Sequence, residues 1–70
     1  MQVLKDEVRN SILEAAKRLF YEKGYNNASI RDIANNSGIT VGNVYRYFAN
    51  KESVLEGIVY PVYKKIMDYI

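Results

Sequence analysis

The chain has 70 residues, 49% of them hydrophobic, so it can enclose one small core and no more than one domain. It contains neither cysteine nor histidine, which excludes disulfides and the usual zinc ligands and removes the commonest general base. The formal net charge is only +2, so nucleic-acid binding has to be argued from where the cations lie. We expect no metal, no cofactor and no enzyme activity.

The first residues lack the apolar run of a signal peptide. No stretch of the sequence approaches the roughly 20 apolar residues that span a membrane. We therefore expect a cytoplasmic protein that does not enter a membrane.

The first predicted helix runs from residue 6 to residue 23, where apolar residues recur three and four positions apart. Asp6 and Glu7 suit its positive N-terminus, and Gly24 suits the left-handed conformation that ends a helix. We interpret the apolar stripe as core, consisting of Val8, Ile12, Ala15 or Ala16, Leu19 and Phe20.

The second predicted helix, near residues 30–36, starts after Ser29, with Asp32 three residues on as a carboxylate variant of the capping box. Gly38 fits a tight turn after it. Thr40 can then cap a third helix near residues 41–48, and Ile39 can pack against Val44 to fix the angle at which the chain enters that helix. Two short helices joined by such a turn predict a helix-turn-helix.

A fourth helix is predicted from residue 51, capped by Asn50. Pro61 has no N–H to offer the Gly57 carbonyl, so we expect a kink or a restart near this position. The predicted fold is all-α: a three-helix, homeodomain-like helix-turn-helix head over residues 1–50, followed by the start of a connecting helix over residues 51–70.

The third helix is predicted to carry the function. Val44 and Phe48 lie four residues apart and face the core, which leaves the opposite face without a part in stability. The residues expected to lie mostly outward are Gly42, Asn43, Tyr45, Arg46 and Tyr47. Asn and Arg can read base edges, and tyrosine hydroxyls can bond phosphates. Glycine costs a helix about 1 kcal/mol relative to alanine, so Gly42 hints at close approach to a DNA groove.

Two cations flank this face, Arg31 at the start of the second helix and Lys51 at the start of the fourth, both placed to reach phosphates. Each signal has a plainer alternative. Arg46 and Lys51 could be ordinary solvated cations, Tyr47 could cover part of the core, and Asn43 could be only a polar residue of a first helical turn.

The order of these residues resembles the N-terminal domain of the TetR repressor family, over roughly residues 8 to 59. The matching segments are Ile12-Leu13-Glu14-Ala15-Ala16, Leu19-Phe20, Gly24-Tyr25, Ser29-Ile30, Asp32-Ile33-Ala34, Ser37-Gly38-Ile39, Gly42-Asn43-Val44-Tyr45, Tyr47-Phe48, Lys51-Glu52 and Val54-Leu55. The resemblance implies a homodimer whose two heads bind successive major grooves of a palindromic operator. It also implies a separate helical C-terminal domain with the dimer interface and a pocket for a small-molecule inducer.

Carried over to this sequence, the resemblance places DNA contacts at the start of the second helix, along the third helix and at the start of the fourth. The predicted DNA-binding residues are Ser29, Arg31, Thr40, Val41, Gly42, Asn43, Tyr45, Arg46, Tyr47 and Lys51. Of these, Arg46 occupies a variable position of the family. We expect a sequence-specific transcription regulator, a repressor relieved by the inducer.

The chain is much shorter than the family's two-domain members, so we expect the C-terminal domain and its inducer pocket to be absent from it. A second apolar side of the fourth helix, formed by Tyr60, Tyr63, Met67 and Ile70, agrees with that expectation. An alternative is that these four residues dock another protein and make the chain a helical interaction module. They could also be half-exposed residues of a frayed end.

Overall fold

The computed structural model describes residues 5–69, and within this range the chain is helical, with short turns between the helices. The helices are α1 (Lys5–Lys23), α2 (Ile30–Ser37), α3 (Val41–Tyr47) and α4 (Lys51–Tyr69), with a 3-10 turn at Tyr25–Asn27. The predicted all-α helix-turn-helix fold is confirmed. In the described range, no helix is both long enough and apolar enough to cross a membrane.

The core is built around α1, whose predicted stripe is buried at its centre. Val8 and Phe20, at the two ends of the stripe, are only partly buried and pack against the core from outside. The buried residues are Ile12, Leu13, Ala15, Ala16 and Leu19 of α1, Ala28 of the turn before α2, Ile33 and Ala34 of α2, Val44 of α3, its C-cap Phe48, and Val54 of α4. Each short helix of the head thus contributes only one or two fully buried side chains.

The turn between α2 and α3 follows from local hydrogen bonds. Gly38 adopts a left-handed conformation (φ 72°), which a glycine accepts without strain. The Ile39 N–H then donates to the Ala34 carbonyl at 3.0 Å and closes α2. Thr40 caps α3 by accepting a hydrogen bond from the Asn43 N–H at 3.1 Å. The two helices are therefore held at a fixed angle by residues 38–40.

Helix α3 is one residue shorter than predicted. Phe48 has an extended backbone (φ −138°, ψ 127°) and serves as the C-cap, although its N–H still bonds the Val44 carbonyl. This conformation lets the Phe48 ring turn into the core, where it is 5% exposed.

Gly57 allows α4 to lie close to α1. A Cβ at this position would come within 3.0 Å of Leu13 Cδ2 and 3.2 Å of Phe48 Cε1, tighter than ordinary contact. Nearby, the Arg9 guanidinium lies 5.3 Å from the centroid of the Phe48 ring. The glycine therefore favours the close α1–α4 contact, because a larger residue would require these side chains to shift by a few tenths of an ångström.

Helix α4 continues through Pro61 to Tyr69, so the predicted restart does not occur. A proline removes one helical hydrogen bond, here the one to the Gly57 carbonyl, and the bonds on either side carry the helix onward. A bend at this position stays a prediction.

Candidate nucleic-acid interface

A groove of about 540 Å³ lies where the N-termini of α2 and α4 meet the side of α3. It brings together five of the ten predicted DNA-binding residues, namely Ser29, Arg31, Val41, Tyr45 and Lys51. The remaining lining residues are Asn26, Asn27, Ala28, Ile30, Ala49 and Asn50. The lining contains two cations and no acidic residue among the described positions, which gives the groove a positive character.

Both helix N-termini at the groove are capped by side chains. The Ser29 hydroxyl accepts from the Asp32 N–H, and the Asp32 carboxylate accepts from the Ser29 N–H, both at 3.1 Å. At α4, the Asn50 Oδ1 accepts from the Ser53 N–H at 2.8 Å. A cap satisfies only part of a first turn, so N–H groups of both turns remain to bind an anion.

Asp32 lies beside the groove, and its carboxylate is engaged by a backbone hydrogen bond and by a lysine ammonium of the same chain. The hydrogen bond from the Ser29 backbone N–H lowers the pKa of this carboxyl, and the Ser29 hydroxyl and the Lys23 ammonium lower it further. The Lys23 Nζ lies 3.5 Å from Asp32 Oδ2, which ties the end of α1 to the start of α2. The carboxylate thus serves the cap and repels an approaching phosphate less than a free one would.

The outer face of α3 is exposed at four of the five predicted positions, Gly42, Asn43, Tyr45 and Arg46, and the capping residue Thr40 is exposed beside them. Tyr45 leaves half of its surface (50%) to solvent. A Cβ built at Gly42 meets no atom within 4 Å among the described residues, and its φ is not positive. Neither packing nor backbone geometry within the chain therefore requires a glycine at position 42.

Tyr47 differs from the expectation that it lies mostly outward. It is partly buried and packs against the core, as does Val41. Both lie three residues from the fully buried Val44, on the side of α3 that faces the head. The plainer alternative for Tyr47, that its ring covers the core, describes what the structure shows, and its predicted DNA contact stays a prediction.

Lys51 is not an ordinary solvated cation. Its Nζ donates hydrogen bonds to the carbonyl oxygens of Tyr25 at 2.6 Å and Ala28 at 3.0 Å. The same nitrogen lies 4.2 Å from the centroid of the Tyr25 ring. Burial raises the pKa of the Tyr25 phenol, and the negative charge of Glu52 raises it further. The Lys51 ammonium is therefore part of the groove wall.

Sequence reasoning missed three polar residues of the groove, Asn26, Asn27 and Asn50, as parts of the interface. Asn50 was recognised only as a helix cap, and the Asn26-Asn27 pair lies in a turn with no periodicity to place it. Its proximity to α4 depends on the Lys51 hydrogen bonds to the 25–28 segment, which span 23 and 26 residues. The available signal was a pair of amides directly before the Ala28-Ser29 start of α2.

Residues 12–58 match the family described as "Bacterial regulatory proteins, tetR family". The HTH-type transcriptional regulator UidR of Escherichia coli (strain K12) is 34% identical over 59 residues, which are 84% of this chain and 30% of UidR. The HTH-type transcriptional regulator TtgR of Pseudomonas putida is 38% identical over 52 residues, which are 74% of this chain and 25% of TtgR.

Two crystal structures share the arrangement of helices. A transcriptional regulator of the TetR/AcrR family from Thermobifida fusca superposes with a TM-score of 0.82 at 38% identity, covering 90% of this chain and 34% of that protein. A mutant of HlyIIR superposes with a TM-score of 0.78 at 31% identity, covering 83% of this chain and 32% of that protein. The chain thus spans between a quarter and about a third of the length of these relatives.

Proposed function

The chain belongs to the TetR family of bacterial regulatory proteins, and we propose that it is the module with which such a regulator binds operator DNA. The observation that carries the proposal is the exposed polar face of α3 beside a positive groove with two helix N-termini. A helix of this length fits the major groove of DNA as the second helix of a helix-turn-helix.

Within this proposal, α3 contacts the bases and the groove contacts the phosphates. Asn43 and Arg46 read base edges from the outer face of α3, and Gly42 lets the helix backbone come close to the bases. Ser29, Arg31 and the α4 N-terminus hold backbone phosphates on either side. Tyr45 lies on both surfaces, since it is half exposed on α3 and lines the groove. We therefore regard Tyr45 as the residue that links base reading to phosphate binding.

The activity of the whole protein is proposed from its family. We propose a cytoplasmic repressor that binds a palindromic operator as a homodimer and leaves it when a small molecule binds a C-terminal domain. We propose no catalytic role, since UidR and TtgR are both named as transcriptional regulators.

A second candidate function, docking of another protein, has one observation in its favour. Tyr60, Tyr63 and Met67 on the second half of α4 are 61%, 60% and 51% exposed. Ile70, the fourth residue of the predicted docking stripe, lies outside the described residues. This surface lies on the second half of α4, whereas the proposed DNA surface lies on α3 and at the N-termini of α2 and α4, so substitutions can separate the two functions.

The deciding experiment compares two tyrosines by fluorescence anisotropy with labelled duplexes, one random and one selected from a palindromic pool. Tyr45→Ala removes a ring from the proposed interface, and Tyr21→Ala removes a 91% exposed ring from α1 as the matched control. Loss of a phosphate or base contact weakens affinity by roughly tenfold or more, since a hydrogen bond to a charged group contributes about that much. Both variants should melt close to the parent, because neither ring is buried.

Equal affinity of the Tyr45 and Tyr21 variants for the selected duplex would contradict the assignment of the α3 face. If the unsubstituted chain binds neither duplex at low salt while still folded, the docking function replaces DNA binding as the better proposal.

A further inference from the structure

Two adjacent asparagines, Asn26 and Asn27, lie in the 3-10 turn before α2, and both line the groove. Both residues are exposed. An asparagine usually occurs in a turn for one of two reasons: it tolerates the left-handed conformation, or its side chain bonds the nearby backbone. The two residues differ in whether either reason applies.

Asn27 has a part in the fold. Its side-chain amide donates a hydrogen bond to the Lys23 carbonyl at 3.0 Å, and so satisfies one of the carbonyl groups that the end of α1 leaves open. Its backbone N–H donates to the Gly24 carbonyl at 3.2 Å. The asparagine at position 27 is thus explained by the way α1 ends.

Neither reason accounts for Asn26. Among the described residues only glycines have a positive φ, so Asn26 is not left-handed. Within the same part of the chain, its side-chain amide neither donates nor accepts a hydrogen bond. The fold therefore leaves this amide open to another molecule, on the wall of the proposed DNA-binding groove.

The turn that carries Asn26 is held in place by the rest of the head. Gly24 precedes it with a φ of 87°, and the Ala28 N–H closes it on the Tyr25 carbonyl at 3.4 Å. The Lys51 ammonium donates to the carbonyl groups of Tyr25 and Ala28, on either side of Asn26. Because this backbone is already ordered, a contact through Asn26 costs little conformational entropy beyond that of its own side chain.

We infer that Asn26 is an additional phosphate ligand, which extends the DNA-backbone contact of the groove from the start of α2 into the turn before it. The described lining of the groove contains Arg31 and Lys51 and no acidic residue, so this wall favours an anion. A side-chain amide N–H can donate to a phosphate oxygen, and it adds a contact without adding charge. This role rests on the proposed DNA-binding function and deepens it.

The first test compares three alanine variants in anisotropy titrations with the random and the selected duplex. Asn26→Ala removes the proposed contact, Asn27→Ala removes the bond to the end of α1, and Asn10→Ala removes an exposed amide of α1 outside the groove lining. Asn26→Ala should weaken binding to both duplexes about tenfold, since both have the same phosphates, and should melt with the parent. Asn27→Ala should mainly lower the melting temperature, and Asn10→Ala should leave affinity unchanged.

A second test places a cation at the same position. Asn26→Lys should make the slope of log affinity against log salt steeper by about 0.9, the value for one neutralised phosphate. Asn10→Lys adds the same charge outside the groove and should leave the slope close to that of the parent. Asn26→Ala loses no cation, so its slope should equal the parent's.

Three results would overturn the phosphate role of Asn26. One is an Asn26→Ala variant that binds both duplexes as tightly as Asn10→Ala. Another is a loss confined to the selected duplex, since that would mark a base contact. The third is an equal slope for the two lysine variants.

The failure of this role is distinguishable from the failure of the proposed function. If the unsubstituted chain binds neither duplex at low salt, DNA binding itself is contradicted and the role of Asn26 falls with it. If the chain binds DNA while the Asn26 variants behave like their Asn10 counterparts, DNA binding stands and only the role of Asn26 is wrong.

Discussion

At the scale of single residues, the two glycines in helices show how a structure separates packing from function. Gly57 faces Leu13 and Phe48 at distances where a methyl group would push these side chains aside by a few tenths of an ångström, whereas Gly42 faces open space. Both cost helix stability to the same degree. At Gly57 the close packing of α1 against α4 offsets this cost. No packing within the described residues offsets it at Gly42, so we attribute that glycine to a contact with another molecule.

Alanine substitutions at the two glycines should therefore differ in their effect on stability. Gly42→Ala should raise the free energy of unfolding by up to about 1 kcal/mol, through helix propensity. At Gly57 overpacking costs about 1–3 kcal/mol, because Leu13 and Phe48 are both buried, and this offsets or exceeds the same gain. Urea denaturation measures both changes, and an equal gain in the two variants would show that the α1–α4 contact has room to spare.

The gain in stability at position 42 should come with a loss of DNA affinity. Gly42→Ala should bind the selected duplex more weakly than the unsubstituted chain, since the added methyl group keeps α3 from the groove. Undiminished affinity of this more stable variant would contradict close approach at position 42.

Phe48 is the residue whose loss the head should tolerate least. It is buried between α3 and α4, and its removal should cost about 3–5 kcal/mol. A domain of this size has a total stability of roughly 4–10 kcal/mol, so Phe48→Ala should lose a large fraction of it and melt well below the parent. Val59→Ala, at a 49% exposed position of α4, is the control and should melt near the parent in a circular-dichroism scan. A cooperative Phe48→Ala transition at the parent's temperature would refute this view of the core.

At the scale of secondary-structure elements, caps and periodicity predicted nearly everything local. Ser29 with Asp32, Gly38 and Thr40 specify the boundaries of α2 and α3 through hydrogen bonds that span only a few residues, which is why the sequence reveals them. The predicted end of α3, at residue 48, is one residue too late. The ring of Phe48 enters the core whether this residue is the last one of the helix or an extended cap, so the apolar pattern does not distinguish the two.

The candidate site was only partly predictable for a physical reason. The α3 face follows from helical geometry, but the groove depends on contacts between Lys51 and carbonyl groups more than 20 residues away, which no local pattern encodes. Tyr47 illustrates the other limit. An aromatic residue at the edge of a helical face can either point into solvent or cover the core, and only the packing of the head decides which of the two it does.

The capping box of α2 should make the stability of the head depend on acid. The pKa of Asp32 is lower in the folded chain than its ordinary value of 3.8, so the ionised carboxylate favours the folded state. Its contribution is present above pH 3.8 and is lost as the pH falls through the lower folded-state value. Asp32→Asn should therefore flatten the acid limb of a plot of melting temperature against pH.

Asp68→Asn, at an exposed position of α4, serves as the comparison for that experiment. If both variants follow the parent curve between pH 5 and pH 2, the hydrogen bonds of the capping box do not govern acid stability. The pH range is set by the value of 3.8 and the direction of the shift at Asp32.

At the scale of the whole molecule, one head offers α3 and a small groove to DNA, and its net charge of +2 gives little attraction at a distance. Two heads joined by a flexible linker of matching span should bind a palindromic duplex about 100 to 10,000 times more tightly than one head, because the second contact becomes intramolecular. Anisotropy titration of such a tandem chain measures the gain.

The control for the tandem chain carries Tyr45→Ala in one of its two copies, which should remove most of the gain while leaving one intact interface. A tandem chain that binds no more tightly than a single head, for every linker length tested, would argue against the proposed homodimer on a palindrome.

The proline within α4 gives the head a mechanical property. The helix is anchored to α1 at Gly57 and to the turn before α2 at Lys51, both before Pro61, while the turns after it are exposed. From Pro61 to Tyr69 the helix extends about 12 Å, so a rotation of about 10° at the proline displaces its far end by about 2 Å. Because one hydrogen bond is missing at the pivot, this arm is more compliant there than an uninterrupted helix. A force on the segment from Pro61 to Tyr69 should therefore bend α4 at Pro61 before it disturbs the packing at Gly57.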